Sequence, residues 1–260
     1  MILSRLISVY DRYSVPISSE GLDRINALTK DLQVALPSFK LESPSDAQHL
    51  IYEIAKRTQP QYSNERNFFS SITQSFALNC ENLCIAFMHF LEQLGVPITK
   101  PATPIVLVSF LNDKQAHCAL KVKGINNRYW DLTAELNYPV SASDYQESFP
   151  FVFEHSHKEN KALAFINVLP LSQEHQGYFA LLDELIRLDL TYPSKDTLRL
   201  KKMQALYNNI KGDLASASLK KIPEQIALFE ELLKTLSKDS FISKAQLASY
   251  QSFVDFHKFL

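Results

Sequence analysis

Glycine is scarce in this chain: among 260 residues there are five, Gly21, Gly95, Gly124, Gly177 and Gly212, and no two stand close together. A phosphate-cradling loop or a dinucleotide fingerprint needs several glycines in one short stretch to bring backbone amides up to phosphate, so both are excluded. Cysteine is rarer still. Cys80, Cys84 and Cys118 are too few, and odd in number, for a disulfide framework, and they read as reduced thiols. An excess of one charge is missing too. The 27 Lys and Arg against 28 Asp and Glu leave a formal net charge of -1, with both signs mixed along the chain. No electrostatic footprint for nucleic acid or anionic lipid results, and neither is expected as a partner. No apolar run reaches the roughly 18 to 20 residues of a membrane span, and the opening MILSRLISVY has neither a long apolar segment nor a small-residue cleavage site. The expectation is a cytoplasmic protein, or one secreted by a route that uses no signal peptide.

What is present is core material: 46% hydrophobic and 21% charged residues over 260 positions suffice for one large domain or two modest ones. Residues 1–96 carry helical periodicity. Ile2, Leu3, Leu6, Ile7 and Tyr10 form one pattern, Leu22, Ile25, Leu28, Leu32 and Leu36 a second, and Ala47, Leu50, Ile51, Ile54 and Ala55 a third, with Ser45-Asp46 as its expected cap. The polar stretch from Thr58 to Arg66 reads as a loop. From Pro97 to 171 the character turns to strand. Ile105–Phe110 is an apolar, β-branched run; Ala116–Lys123 and Arg128–Thr133 flank a turn at Gly124 as a hairpin; Phe149–Phe153 and Ala162–Val168 add further strands. Helical patterns return over 172–260 (Phe179, Leu182, Leu185, Ile186; Leu198, Met203, Leu206, Ile210; Ile226, Phe229, Leu232, Leu233, Leu236; Leu247, Tyr250, Phe253, Val254), with no fixed repeat across three units. The class is α+β: a first domain at 1–171 and a helical C-terminal domain or lid at 172–260.

The stretch that carries chemistry is FALNCENLCIAFMHFLEQLGVP, residues 76–97. Leu83, Phe87, Leu91 and Leu94 recur at helical spacing, Ala86 and Phe90 widen the stripe, and Gly95 with Pro97 supplies the stop. With Asn79 as cap, Cys80 stands at the helix N-terminus, where unpaired amides and the helix dipole favour a thiolate. Strand alternation adds two partners. Cys118, Leu120 and Val122 make the apolar face of one hairpin strand and Trp130 and Leu132 that of the other, leaving His117 and Asp131 together on the opposite face. They lie opposite or diagonal to one another, within reach of a His-Asp hydrogen bond. A thiol, a base and a carboxylate to orient the base are the parts of nucleophilic acyl transfer.

Cys80 heading an apolar helix that ends in Leu94-Gly95-Val96-Pro97, then His117-Cys118-Ala119-Leu120-Lys121-Val122, then Tyr129-Trp130-Asp131-Leu132-Thr133, resembles the core of the transglutaminase-like superfamily of cysteine enzymes over residues 76–134. The resemblance implies a papain/transglutaminase-like core, a helix bundle packed on an antiparallel sheet, with Cys80 as nucleophile, His117 as base and Asp131 as its orienter. It implies an acyl-transfer enzyme acting on an amide bond of a protein or peptide through a thioester: a protease, deamidase or transglutaminase. Gln74, six residues before Cys80, resembles the oxyanion-hole glutamine of papain-like proteases. The pattern departs where the family has glycine just before the cysteine and aromatics after the histidine; here Leu78-Asn79 and Cys118-Ala119 stand there.

Blander readings stand alongside. A cysteine on an apolar helix is commonly a small core residue, and Cys84 and Cys118 are read that way. A zinc site from Cys80, Cys84, His117 and Cys118 is disfavoured because neighbours on a strand point to opposite faces, and no metal or cofactor is expected. His155 and His157 read as part of a polar loop, Glu135 and Asp144 as lesser rivals to Asp131. A non-catalytic binding or scaffold protein of the same fold is the competing function. An arylamine N-acetyltransferase-like acyltransferase ranks lower, since the Arg-Gly-Gly segment of those enzymes is absent before Cys80.

Overall fold

A computed structural model describes residues 2–36, 41–73, 75–98, 100–111, 116–125, 128–133, 140–141, 149, 151–155, 167–169, 177–188, 194–216, 219–236 and 243–258. The chain divides into two compact units, Met1–Gly177 and Tyr178–Leu260. The architecture is a mixed α+β fold, with helices packed against small antiparallel and parallel sheets, followed by a helical C-terminal region.

The first unit begins with α1 (Ile2–Arg12), α2 (Ser19–Ala35) and α3 (Pro44–Thr58). The cap of α3 is Ser43 rather than the expected Ser45. Pro44 takes the first helical position, where its missing N–H costs nothing, and Ser43 and Asp46 close a reciprocal capping box. Two residues of the expected loop, β1 (Gln61–Tyr62), pair in parallel with β2 (Ala77–Leu78), with the short α4 (Phe68–Ser71) between them. Then comes α5 (Cys80–Gln93), which packs against α1, α2, α3 and the sheet strand β4 (Ala116–Val122). Neighbours on all sides explain why every residue of α5 from Asn82 to Leu91 is buried, well beyond the one stripe expected from the sequence. Its stop is as expected: Gly95 takes φ 92°, and the Val96 N–H turns back to the Leu91 carbonyl at 2.9 Å.

The main sheet has the order β4–β3–β7, all antiparallel, with β3 at Ile105–Leu111 and β7 at Phe151–Glu154. Beyond the Gly124 turn, β5 (Arg128–Tyr129) pairs with β6 (Val140–Ser141), and one bridge, Leu120 to Trp130, ties it to β4. The expected second hairpin strand therefore ends early, at Trp130. The expected strand at Ala162–Val168 is corrected at its end, since Asn167 and Val168 are helical, and residues 162–166 lie outside the described residues. The helical turn aims the Asn167 amide into the core. Its Oδ1 accepts from the Tyr10 hydroxyl at 2.7 Å and its Nδ2 donates to Asn82 Oδ1.

The second unit consists of α6 (Tyr178–Arg187), α7 (Ser194–Ala215), α8 (Ile222–Thr235) and α9 (Lys244–His257). Met203, Leu206, Ile210, Ile222, Ile226, Phe229, Tyr250 and Val254 form its core. Among the described residues no helix is long and apolar enough to cross a membrane.

One buried group in α5 makes stability depend on pH. His89 is buried, and its Nε2 lies 3.2 Å from the Thr29 hydroxyl, whose own proton goes to the Ile25 carbonyl. The imidazole must therefore donate from Nε2, which leaves a lone pair on Nδ1 with no partner among the described residues. Burial lowers its pKa to about 4. The unfolded chain takes up this proton near pH 6.5 and the folded chain only near 4, so stability falls as pH drops through that window. The loss reaches on the order of 3 kcal/mol. Urea unfolding at pH 7 and pH 4.5 should show a smaller acid loss in His89→Gln than in the parent; equal losses would show that His89 does not carry it.

Candidate active site

The site begins at the first turn of α5. Asn79, in extended conformation, caps the helix by accepting from the Asn82 N–H at 2.8 Å, and its Nδ2 donates to the Glu65 carbonyl. Asn82 is fully buried, donates to the Arg66 carbonyl at 3.1 Å and accepts from Asn167. This amide network holds the helix start against the preceding loop. Cys80 is the first helical residue and is partly exposed. Its backbone N–H, one of the four that a helix leaves unpaired, has no partner among the described residues.

On β4, His117 pairs with Phe110 across to β3, and its ring stacks on Phe149 with centroids 6.3 Å apart. The Leu120–Trp130 bridge sets Asp131 opposite Ala119, so His117 and Asp131 are diagonal on one face. Their hydrogen bond is formed: His117 Nε2 lies 3.0 Å from Asp131 Oδ2. The other carboxylate oxygen accepts from the Thr133 N–H at 2.8 Å and from its hydroxyl at 2.6 Å, an Asx-type turn that fixes the carboxylate and bends the chain away from β4. The His117 ring and the Cys80 thiol interact electrostatically, each favouring the charged form of the other.

The residue after His117 bears on Cys80 as well. The Leu120 N–H points away from β3, to the Trp130 carbonyl, and two residues back the Cys118 N–H points the same way. Among the described residues no strand stands opposite Cys118 there, since the chain has already turned at Asp131. Cys118 and Cys80 influence one another's protonation, with Cys118 favouring the Cys80 thiolate. The effects of the Cys118 side chain, and then of His117, outweigh burial and hold the Cys80 thiol well below the ordinary thiol range. Burial opposes the charged form of His117, yet Asp131 and Cys80 raise its pKa to about 9. Both shifts favour the charged forms, thiolate for Cys80 and imidazolium for His117. The neighbouring Cys80, together with burial, keeps Cys118 protonated.

A chain of polar contacts leads away from Cys118: Ser109 Oγ, cross-strand from it, lies 3.8 Å from its sulfur, and His155 Nε2 lies 2.7 Å from Ser109 Oγ. His155 is buried at the end of β7, its N–H bonded to the Leu107 carbonyl, so the reading of it as part of a polar loop is corrected. Ser109→Ala should break the chain and raise the Cys80 pKa, read as an upward shift in the pH at which Cys80 becomes alkylated. An unmoved profile would mean that the serine does not tune the thiol.

The structure thus joins His117 to Asp131 and packs α5, which Cys80 heads, against the strand that carries His117. Gln74, Glu135, Asp144 and His157 lie outside the described residues. Cys84, one turn along, is fully buried, and burial pushes its thiol well up. Cys118, Ser109, His155 and Thr133 are additions that residue patterns did not single out. The legible signals were the thiol directly after the base and the Asp-x-Thr turn pattern. Among the described residues no group of three or more His, Cys, Asp or Glu is arranged to hold a metal ion. Compared with known proteins, the chain matches no family model, no curated protein and no solved structure.

Proposed function

We propose that this chain is a cysteine-dependent acyl-transfer enzyme with a papain/transglutaminase-like core, acting on an amide bond of a protein or peptide. The observation that carries the reading is the imidazole of His117, hydrogen-bonded to the Asp131 carboxylate and electrostatically coupled to a helix-start thiol. In the proposed reaction the Cys80 thiolate attacks the carbonyl carbon, and the carbonyl oxygen takes up the displaced electron pair. The Cys80 N–H donates to that oxygen, with Gln74 as the proposed second donor. Collapse breaks the C–N bond, and the amine leaves with the proton from His117 Nδ1. His117, now neutral, takes a proton from the water or amine that attacks the thioester, which returns Cys80 as thiolate. Asp131 holds the ring in the required tautomer throughout.

One experiment covers the outcomes that share these steps. Casein supplied with a dansylated primary amine, under reducing conditions, separates them: dye incorporation marks transamidation, ammonia without dye or cleavage marks deamidation, and new chain ends mark proteolysis. An acyl adduct on Cys80 in quenched samples, lost in Cys80→Ala, is the expected result. The absence of any adduct, both with casein and with the activated ester p-nitrophenyl acetate, would favour the non-catalytic scaffold reading.

A further inference from the structure

We infer that Thr133 is a positioning residue of the site: its hydroxyl and backbone N–H hold the Asp131 carboxylate in the orientation that accepts from His117 Nε2, and so fix which nitrogen of His117 gives up its proton. The consequence for turnover rests on the acyl-transfer reading proposed above; the consequence for the ring does not. Asp131 is buried, and both of its oxygens accept hydrogen bonds. Oδ2 lies 3.0 Å from His117 Nε2, while Oδ1 accepts from the Thr133 N–H at 2.8 Å and from the Thr133 hydroxyl at 2.6 Å. A carboxylate turns about a broad, roughly two-fold torsion, and β5 has already ended at Tyr129, so neither rotamer preference nor the strand fixes it. Two donors from one residue on one oxygen do. With Oδ1 held, the remaining place for Oδ2 is the one that meets Nε2. The hydroxyl bond is the shortest of the three and falls in the range of a charge-assisted O–H···O⁻ contact. Leu132, between the two partners, is buried, which anchors the turn in the core.

A neutral imidazole carries its one proton on either nitrogen, and the partner of one nitrogen decides which. With Oδ2 fixed as an acceptor, Nε2 keeps its proton and Nδ1 is the nitrogen that exchanges one, the arrangement that protonation of a leaving amine from Nδ1 requires. The two Thr133 donors also favour Asp131 as an anion, and an anion in this place favours the imidazolium. The titratable groups that act on His117 are Asp131, at the end of β5, and Cys80, at the head of α5. Thr133 bonds to the first and carries no charge, so its influence on the ring passes through Asp131.

The test is an NMR titration of the whole protein labelled with ¹⁵N in its seven histidines, with His117→Ala identifying the His117 signals. Thr133→Val keeps the shape and the N–H but removes the hydroxyl donor, Thr133→Ala is a second variant without that donor, and Thr133→Ser retains it. In the parent the neutral ring should keep its proton on Nε2. In Thr133→Val and Thr133→Ala the His117 pKa should fall part of the way to its value in Asp131→Asn, and the neutral ring should become a mixture of the two tautomers. Thr133→Ser should follow the parent. With an amide substrate the valine variant should lose about tenfold in kcat at unchanged KM, the size of one hydrogen bond to a charged group, and its alkaline limb should move down with the pKa. A parental pKa and tautomer in both variants without the hydroxyl would overturn the inference, and so would a serine variant that behaves as they do. The ring signals need no turnover: absence of acylation in the parent fails the acyl-transfer reading, while the titration still decides the role of Thr133.

Discussion

His117→Ala is expected to reduce acylation of Cys80 by an amide substrate about 10²- to 10⁴-fold, the range that a positioned general acid contributes. An amide nitrogen is a poor leaving group until it is protonated, and the His117 imidazolium is the proposed proton source. With p-nitrophenyl acetate the leaving group departs as an anion, so the same substitution should cost far less. The difference between the two substrates is the diagnostic. The pH dependence carries its own signs. Turnover needs Cys80 deprotonated and His117 protonated, so the acid limb of the profile follows the lowered Cys80 pKa and the alkaline limb lies near pH 9. Asp131 supplies the largest contribution that raises His117. In Asp131→Asn the proton is held less tightly, and the alkaline limb should move down towards the roughly 6.5 of an ordinary imidazole. Initial rates of Cys80 acylation across pH check both points; an unmoved alkaline limb in Asp131→Asn would remove His117 from the mechanism.

Gly21→Ala should destabilise the protein by about 3 kcal/mol or more, against the usual direction for a glycine in a helix. Gly21 sits in the first turn of α2, its N–H donating to the Ser18 hydroxyl at 3.2 Å. A Cβ built there meets the Phe69 carbonyl oxygen at 1.8 Å, and that oxygen belongs to backbone, so α2 and α4 must separate to admit it. Phe69 is itself fully buried and packs edge-on to Tyr10 with centroids 5.2 Å apart, so the displacement spreads into the core. Gly212, inside α7, is the contrast. A Cβ there meets nothing within 4 Å, and Gly212→Ala should gain about 0.5 to 1 kcal/mol by narrowing the unfolded ensemble. Chemical denaturation of the two variants should move in opposite directions; a gain from Gly21→Ala would mean that the two helices separate at no cost.

The parts of the site that the sequence made legible are those governed by local rules. The Asn79 cap, the start of the helix at Cys80 and the Gly95 stop follow from side-chain and backbone preferences within a few residues. The shared face of His117 and Asp131 follows from the period of a strand, which a single bridge at Leu120 and Trp130 is enough to anchor. Cys118 escaped the same rule because alternation sorts side chains into two faces and overlooks the strand's edge. The influence of Cys118 on the Cys80 thiol is therefore not readable from alternation. The edge itself exists because Thr133 bends Asp131 out of the strand, a tertiary consequence of a two-residue spacing. His155 was missed for a different reason. Its neighbours in sequence are polar, while its buried ring meets Ser109, 46 residues away.

The burial of α5 on every side has a dynamic consequence. A helix with one solvent-facing side can fray or tilt without disturbing the rest of a domain, whereas α5 is enclosed by α1, α2, α3 and β4. Its central amides, from Leu83 to Leu91, can exchange with deuterated water only when the unit opens as a whole, so their protection factors should report its global stability. Cys80, at the head of that helix, is thereby fixed to the slowest-exchanging part of the unit.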